Sequence, residues 1–342
     1  MPHDILTPAI DALASGNDLS TDQAAEVLAV IMSGEASEVE IAAVLVALRT
    51  KGETVEELAG LARTMRSFAT PVEVSRPDLL DTAGTGGGRA TFNVSTTAAL
   101  IAAGAGCPVA KHGNRSATGL SGSADLLEAM GVRLDLTPAS VARCIDEVGF
   151  GFMFAPAHHA ATRYVIPVRA QLAVRTIFNF LGPLTNPAGA RRQLIGVSDP
   201  RFQETMAGAL ALLGTDRALV VSSADGLDEM STSAATHVVE VDGERITRYD
   251  VEPEDVGLVR VPTDAIVGGT PQRNADVTRA ILAGETGPER DIALFNAGAA
   301  IFAGGHADSL ADGVALAAET VDSGRAARTT EAFVVLSQEL AP

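Results

Sequence analysis

Cysteine is scarce in this chain: Cys107 and Cys144 are the two among 342 residues. That excludes a disulfide framework and a cysteine metal cluster, and leaves buried free thiols in a reducing compartment. Basic residues are outnumbered, 25 against 43 acidic ones, for a formal net charge of -18. The excess argues against nonspecific binding to nucleic acid or to an anionic membrane. A small anionic ligand remains open, because local charge decides within a Debye length. Lysine is nearly absent, with Lys51 and Lys111 the two examples and arginine at the other basic positions. No apolar run is long and uninterrupted enough to span a bilayer. The opening MPHDILTPAI has no basic stretch followed by an apolar core, so no secretory signal is read and a cytoplasmic protein is expected. No GxSxG elbow occurs and nothing points to a Ser-His-Asp triad. No covalent nucleophile or dedicated base is assigned.

At this length two domains are comfortable. Residues 1–70 read as helices only. Ser20 with Gln23, Ser37 with Glu40 and Thr54 with Glu57 form three capping boxes, each before an apolar stripe of helical period. Pro71 and Pro77 bracket a linker. From Leu79 short apolar runs alternate with capped helices: LLDT, CPVA, FGFMF, QLIGV and ALVVSS read as strands, the last three each followed by a helical stretch. This alternation predicts a mainly parallel central sheet with helix-covered faces. Asp242-Gly243 lies between two β-rich runs and reads as a hairpin turn. Helices resume from about Pro271. Residues 157–189 interrupt the rhythm with a helix, a short second helix and a Pro/Gly-rich bend, and are expected to pack with the N-terminal helices. No internal repeat or low-complexity stretch appears.

Four constellations carry chemistry. DTAGTGGGRATFNVST (Asp81–Thr96) places Gly84, Gly86, Gly87 and Gly88 between a strand and a helix. Bare amides at a helix N-terminus make an anion site, and Thr91, Ser95 and Thr96 add hydroxyls. It is neither a P-loop nor a GxGxxG fingerprint; a tight strand–helix turn without a ligand is the alternative. KHGNRS (Lys111–Ser116) follows the next strand and supplies two cations and an amide suited to phosphate; alone it reads equally as a solvated loop. DGLDE (Asp225–Glu229) brings Asp228 and Glu229 together near a strand end. Adjacent carboxylates repel unless a cation joins them, and Mg²⁺ takes one or two carboxylates plus substrate phosphates; alone the pair is commonplace. Arg169 and Arg175 in VRAQLAVRT have apolar flanks, so at least one faces a cleft, where a guanidinium suits a carboxylate ligand; on a helix either also reads as a surface pair. His158 and His159 lack zinc spacing.

The segments GTGGG…FNVST, KHGNRS, SGSADLLEAMGV, DEVGFGFMFAP, VRTIFNFLGPLTNPA and DGLDE occur in that order from about residue 20 to 325. Together they resemble the anthranilate phosphoribosyltransferase family, of the nucleoside phosphorylase/phosphoribosyltransferase fold. The resemblance implies an α/β protein with a mainly parallel central sheet flanked by helices and a second, smaller all-helical domain. The helical domain would comprise 1–70 with about 165–189, and the α/β domain 71–164 with about 190–342. It implies a homodimer joined through the helical domain, and a tryptophan-biosynthetic transferase using phosphoribosyl pyrophosphate and anthranilate, with neither nucleic acid nor membrane as partner. Phosphoribosyl pyrophosphate would be held by Gly84, Gly87, Gly88 and Thr91, and by the turn of Asn93, Val94, Ser95 and Thr96. The second loop would add Lys111, His112, Gly113, Asn114, Arg115, Ser116, Ala117, Thr118 and Gly119, with Ser123 beyond it. Anthranilate would meet Gly84, Asn114 and Arg169, with His112, Gly182 and Pro183 lining its pocket. Mg²⁺ would be held through Ser95, Asp228 and Glu229. One departure stands out. Gly88 occupies a position where the family commonly has an acid, and Arg89 follows, so a carboxylate is lost and a positive charge gained near the metal. A pyrimidine nucleoside phosphorylase of the same fold, or a noncatalytic nucleic-acid-binding relative, are the competing readings. The Asn114 position, GPLTNP and the Asp-Glu pair disfavour the first, and the acidic charge disfavours the second.

Overall fold

The computed structural model describes residues 3–116 and 119–342. Ala117 and Thr118, two of the expected phosphate-loop residues, lie outside the described residues. The chain opens with helices α1 (Leu6–Ala14), α2 (Thr21–Ser33), α3 (Glu38–Lys51) and α4 (Val55–Ser67). All three capping boxes form: Ser20, Ser37 and Thr54 accept the N–H three residues on, and Gln23, Glu40 and Glu57 reciprocate. Glu57 also ties the bundle together. Fully buried, it accepts from the Leu19 N–H at 2.9 Å and from Lys51 Nζ at 3.1 Å.

Next come β1 (Leu80–Gly84), α5 (Val94–Gly104), β2 (Val109–Gly113), α6 (Ser123–Ala129), α7 (Pro138–Val148) and β3 (Phe150–Phe154). A broken stretch follows, with α8 (Ala155–His158), a 3-10 turn at Ala160–Tyr164, α9 (Ile166–Leu172) and α10 (Phe178–Leu184). Then come β4 (Arg192–Gly196), α11 (Gln203–Leu212), β5 (Arg217–Ser223), β6 (Thr236–Asp242) and β7 (Arg245–Val251). The chain ends with α12 (Pro271–Leu282), α13 (Pro288–Ala303), α14 (Leu310–Asp322) and α15 (Arg325–Glu339). The sheet order is β3-β2-β1-β4-β5-β6-β7, parallel from β3 to β5 and antiparallel at β6 and β7. The chain steps outward from β1 to β3, then returns to lay β4 on the other side of β1. Strand ends flanking such a reversal open a crevice, the usual ligand position in open α/β sheets.

Side-chain alternation along the strands builds two cores. On β5, Leu219 and Val221 join the core under α5, α7, α13, α14 and α15, where Phe150 and Phe333 meet edge to face. Ala218 and Val220 point the other way, into a core shared by α11, α10 and the N-terminal bundle. The bundle thus covers one face of the sheet. Helix α9 packs on α3, and α10 packs on α4.

Three sequence expectations change. No helix follows β5; the loop 224–235 leads straight into β6, because the chain turns back antiparallel to pair with β5. The hairpin turn is Gly243-Glu244, since Asp242 pairs with Arg245, and Gly243 at φ 59 takes the first turn position, where positive φ is required. Residues 157–189 hold more and shorter helices than expected: Pro167 stands in the first turn of α9, the left-handed Ala173 ends that helix, and Pro183 lies in the last turn of α10.

Candidate active site

The carboxyl ends of β1, β2 and β4 and the loop after β5 converge. Gly84 ends β1, Gly113 ends β2 and Gly196 ends β4, and Asp228 and Glu229 lie in the loop beyond β5. The glycines are there for a reason the sequence does not display. A Cβ at Gly84, Gly88 or Gly196 would run into Asp228, in two cases at its carboxylate oxygens. Three bare positions therefore form the socket of one acidic residue, and the Gly86 N–H donates to its Oδ2 at 3.1 Å. This answers the Gly88 departure: a side chain at that place would displace Asp228 from the socket.

Glu229 sits against the start of α5, where the Ser95 N–H favours its charged form. An anion at a helix N-terminus is favourably placed, and α5 has no side-chain cap of its own. Asn93, at the cap position, is spent elsewhere: it bonds the Ser121 carbonyl and hydroxyl and Asn274 Nδ2, joining α5, the second loop and α12. Val94, Ser95 and Thr96 form the first turn, with Val94 and Thr96 buried and no bonding partner for Thr96 Oγ1 among the described residues. Thr91 is half-buried in the loop before it.

Lys111 is turned inward. Its Nζ donates to the Thr82 carbonyl at 2.5 Å and hydroxyl at 2.9 Å, at 2% exposure. Its countercharges are Asp81 and Glu229. Burial drives Lys111 down to about 8, against the pull of those acids. Burial and the Asp228 charge push Glu229 up to about 8, opposed by Lys111. Burial likewise raises Asp81 and Asp228. Lys111, expected from its motif as a charge for phosphate, is instead buried on Thr82 with Asp81 and Glu229 as its countercharges.

The rest of the second loop is held by its own acids. Arg115 pairs with Asp125 at 2.8 Å and Glu128 at 2.5 Å. Ser116 N–H donates to Asp125 Oδ2, Ser116 Oγ accepts from Gly119, and Ser123 Oγ donates to the Asn114 carbonyl. Gly113 has no room for a Cβ beside Ser123 and Phe152. Asn114 faces solvent, its Oδ1 taking the Arg115 N–H at 2.7 Å. Arg89 behaves similarly. Its charge, expected near the metal, is taken up instead: Nη1 pairs with Asp225 at 2.8 Å and Nη2 donates to the Thr263 carbonyl at 2.6 Å.

Helix α10 brings the remaining residues together. The Gly182 carbonyl lies 3.2 Å from His112 Nδ1, and the buried Pro183 gives its carbonyl to Gln193 at 2.8 Å. Half-buried Arg169 reaches Asn179 Oδ1 at 3.4 Å and stacks over Phe178, and burial lowers its pKa. Burial and the neighbouring His159 push His112 down to about 3, so its ring is neutral at ordinary pH. Asn186 of GPLTNP bridges Asp81 Oδ2 and the Ala110 carbonyl, both at 2.8 Å, pinning this segment to the sheet. Asp81, Asn186 and Asp225, which lie within the motifs with no role expected of them there, and Asn274, outside them, are structural partners. A charged residue within the apolar run LLDT was the available signal for Asp81, since acids are rarely fully buried without partners.

Among the described residues, no group of three or more His, Cys, Asp or Glu side chains is arranged to hold a metal. The hard-oxygen pair Asp228 and Glu229, each raised in pKa by burial and Glu229 also by its neighbour, still fits Mg²⁺ that takes its remaining ligands from water and substrate phosphates.

Residues 7–69 match the glycosyl transferase family helical bundle domain, and residues 76–327 match the glycosyl transferase family a/b domain. Fold and site together define a glycosyl transferase with a helical bundle set on an α/β sheet. The chain is 53% identical to the anthranilate phosphoribosyltransferase of Symbiobacterium thermophilum, over 93% of this chain and 94% of that protein. It is 50% identical to that of Moorella thermoacetica, over 96% and 98% of the two chains. The chain belongs to the anthranilate phosphoribosyltransferase family. The crystal structure of the Thermus thermophilus enzyme superposes with a TM-score of 0.92 at 47% identity, covering 96% of this chain and 99% of that one. The Saccharomyces cerevisiae enzyme in complex with PRPP and Mg gives 0.90 at 27% identity, covering 99% and 100%.

Proposed function

We propose that the crevice above β1, β4 and β5 transfers the 5-phosphoribosyl group of phosphoribosyl pyrophosphate to the amine of anthranilate, releasing pyrophosphate, as a step of tryptophan biosynthesis. The observation that carries this reading is the socket of Gly84, Gly88 and Gly196 around Asp228, with Glu229 at the start of α5. It sets a hard-oxygen pair beside bare amides, the chemistry a metal-bound diphosphate needs.

Asp228, Glu229 and the Ser95 hydroxyl would hold Mg²⁺. When bound, the ion neutralises charge on a departing diphosphate. Gly84, Gly87, Gly88, Thr91 and the Asn93–Thr96 turn would take the diphosphate, and Asn114, Arg115, Ser116 and Gly119 beyond the end of β2, with Ser123, the ribose phosphate. Lys111 acts as a buried countercharge to both Asp81 and Glu229. Arg169 and Asn114 orient the anthranilate carboxylate and amine, with Gly84, His112, Gly182 and Pro183 around the ring. An aromatic amine needs no strong base before attack, because its proton becomes acidic as the C–N bond forms. With its pKa pushed down to about 3, His112 is too weak a base to take that proton, which supports a pocket that positions rather than deprotonates. Meeting of the helical lobe (1–70 with about 165–189) and the α/β lobe (71–164 with about 190–342) keeps water from the sugar cation.

No helix of the described residues is long and apolar enough to cross a membrane. Exposed Val39, Val46, Ile166 and Val174 on the bundle side support a homodimer through the helical lobe, checked by sedimentation. The reaction is tested by following loss of anthranilate fluorescence with phosphoribosyl pyrophosphate and Mg²⁺, each omitted in turn. Signal loss without the activated sugar, or none with all three present, refutes it.

A further inference from the structure

Arg175 is the cleft arginine that the reaction above leaves without a task. It lies in the connection from α9 to α10, two residues after Ala173, the one non-glycine residue with positive φ (52) among those described. Alanine in that conformation is strained, and the bend it makes brings the next residues toward the sheet. The main chain there is anchored to the bundle: Arg49 of α3 donates to the Arg175 carbonyl, and the Thr176 N–H donates to Asn179 Oδ1 at 3.0 Å.

The side chain crosses to the glycine loop. Nη2 donates to the Gly86 carbonyl and to Ser198 Oγ, the latter at 3.0 Å. Ser198 Oγ donates to the same Gly86 carbonyl at 2.9 Å. On its other side, the Gly86 N–H is held by Asp228. A trans peptide is planar with C=O and N–H opposed, so clamping the Gly86 carbonyl fixes the direction of the Gly87 N–H. That amide has no protein partner among the described residues. Gly87 is constrained in turn: its φ is +81, and a Cβ there would overlap the guanidinium.

We propose that Arg175 is a positioning residue that aims the Gly87 amide into the crevice and ties the glycine loop to the helical lobe. The loop's readiness for a diphosphate then depends on where the α9–α10 segment sits. This rests on the reading of the crevice as a phosphoribosyl pyrophosphate site, and the test separates the two.

Arg175→Met and Arg175→Lys are compared with the unaltered protein. In the ligand-free state, hydrogen exchange of the Thr85 and Gly86 amides, bonded to Gly196 and Asp228, should accelerate about tenfold in Arg175→Met. It should be partly restored in Arg175→Lys, which can still donate to the carbonyl. Calorimetric binding of phosphoribosyl pyrophosphate with Mg²⁺ should weaken by about 10- to 50-fold, while the anthranilate KM moves less than about threefold. Gly87→Ala should cost less binding in the Arg175→Met background than alone, because the overlap is gone. Weakened binding with unchanged exchange would make Arg175 a direct ligand and overturn the proposal, as would fully additive effects of the two substitutions. Accelerated exchange in a protein that shows no phosphoribosyl transfer would uphold the brace and defeat the assigned reaction.

Discussion

Removing the Arg89 side chain probes the join between the glycine loop and the carboxylate loop. Arg89 pairs with Asp225 at 2.8 Å, with side-chain exposures of 32% and 11%. An exposed pair contributes about 0.2–1 kcal/mol, and breaking a buried one costs about 3–5 kcal/mol. This half-buried pair lies between. Asp225 also keeps Ser223 Oγ at 2.7 Å and Ser231 Oγ at 3.0 Å, so its loss of Arg89 is partly compensated. The guanidinium further loses the Thr263 carbonyl, worth about 1 kcal/mol. A total near 2 kcal/mol corresponds to about 30-fold, at 1.4 kcal/mol per decade. If that energy holds the Gly84–Gly88 loop against the 225–229 loop, Arg89→Ala should raise the KM for phosphoribosyl pyrophosphate and the half-saturating Mg²⁺ by about 10- to 30-fold. The KM for anthranilate should stay within about threefold. Fluorescence assays titrating one component at a time measure all three. Adding Asp225→Asn to Arg89→Ala should cost little more, because both remove one contact. Equal rises in both substrate KM values, or additive effects of the two substitutions, would refute the reasoning.

Arg169→Ala removes a charge-assisted contact worth about 1.5–3 kcal/mol, so the anthranilate KM should rise about 10- to 100-fold with that of phosphoribosyl pyrophosphate little changed; steady-state titration of each substrate checks this. Asp228→Asn with Glu229→Gln should shift the Mg²⁺ titration of activity to higher concentration, and an unmoved curve contradicts the assigned metal residues. His159 is held down to about 4, chiefly by burial and then by His158. Its folded pKa lies below the unfolded value of about 6.5, so its protonation penalises the folded state progressively as pH falls from about 6.5 to about 4 and not above. The stability of His159→Asn relative to the unaltered protein should therefore improve by about 1.4 kcal/mol per pH unit over that window, read from denaturant midpoints at pH 7, 6 and 5.

Local chemistry made much of the molecule legible in advance. A capping box needs two side chains three residues apart, so Ser20, Ser37 and Thr54 marked α2, α3 and α4 from sequence alone. The β1 glycine loop and the DGLDE loop were visible as motifs for the same reason: each is contiguous. What tertiary structure decided is which groups face which. Lys111 and Arg115 stand four residues apart in one motif, yet one is buried on Thr82 and the other spent on Asp125 and Glu128. Gly88 looked like a lost acid until Asp228, brought from 140 residues away by the return of the chain across β1, filled the space a side chain would need. Covalent neighbours and short-range hydrogen bonds fix helices, turns and loops, so these can be read along the chain. Charge pairing and steric clearance act through space between residues distant in sequence, and only the packed sheet with its bundle brings them into contact.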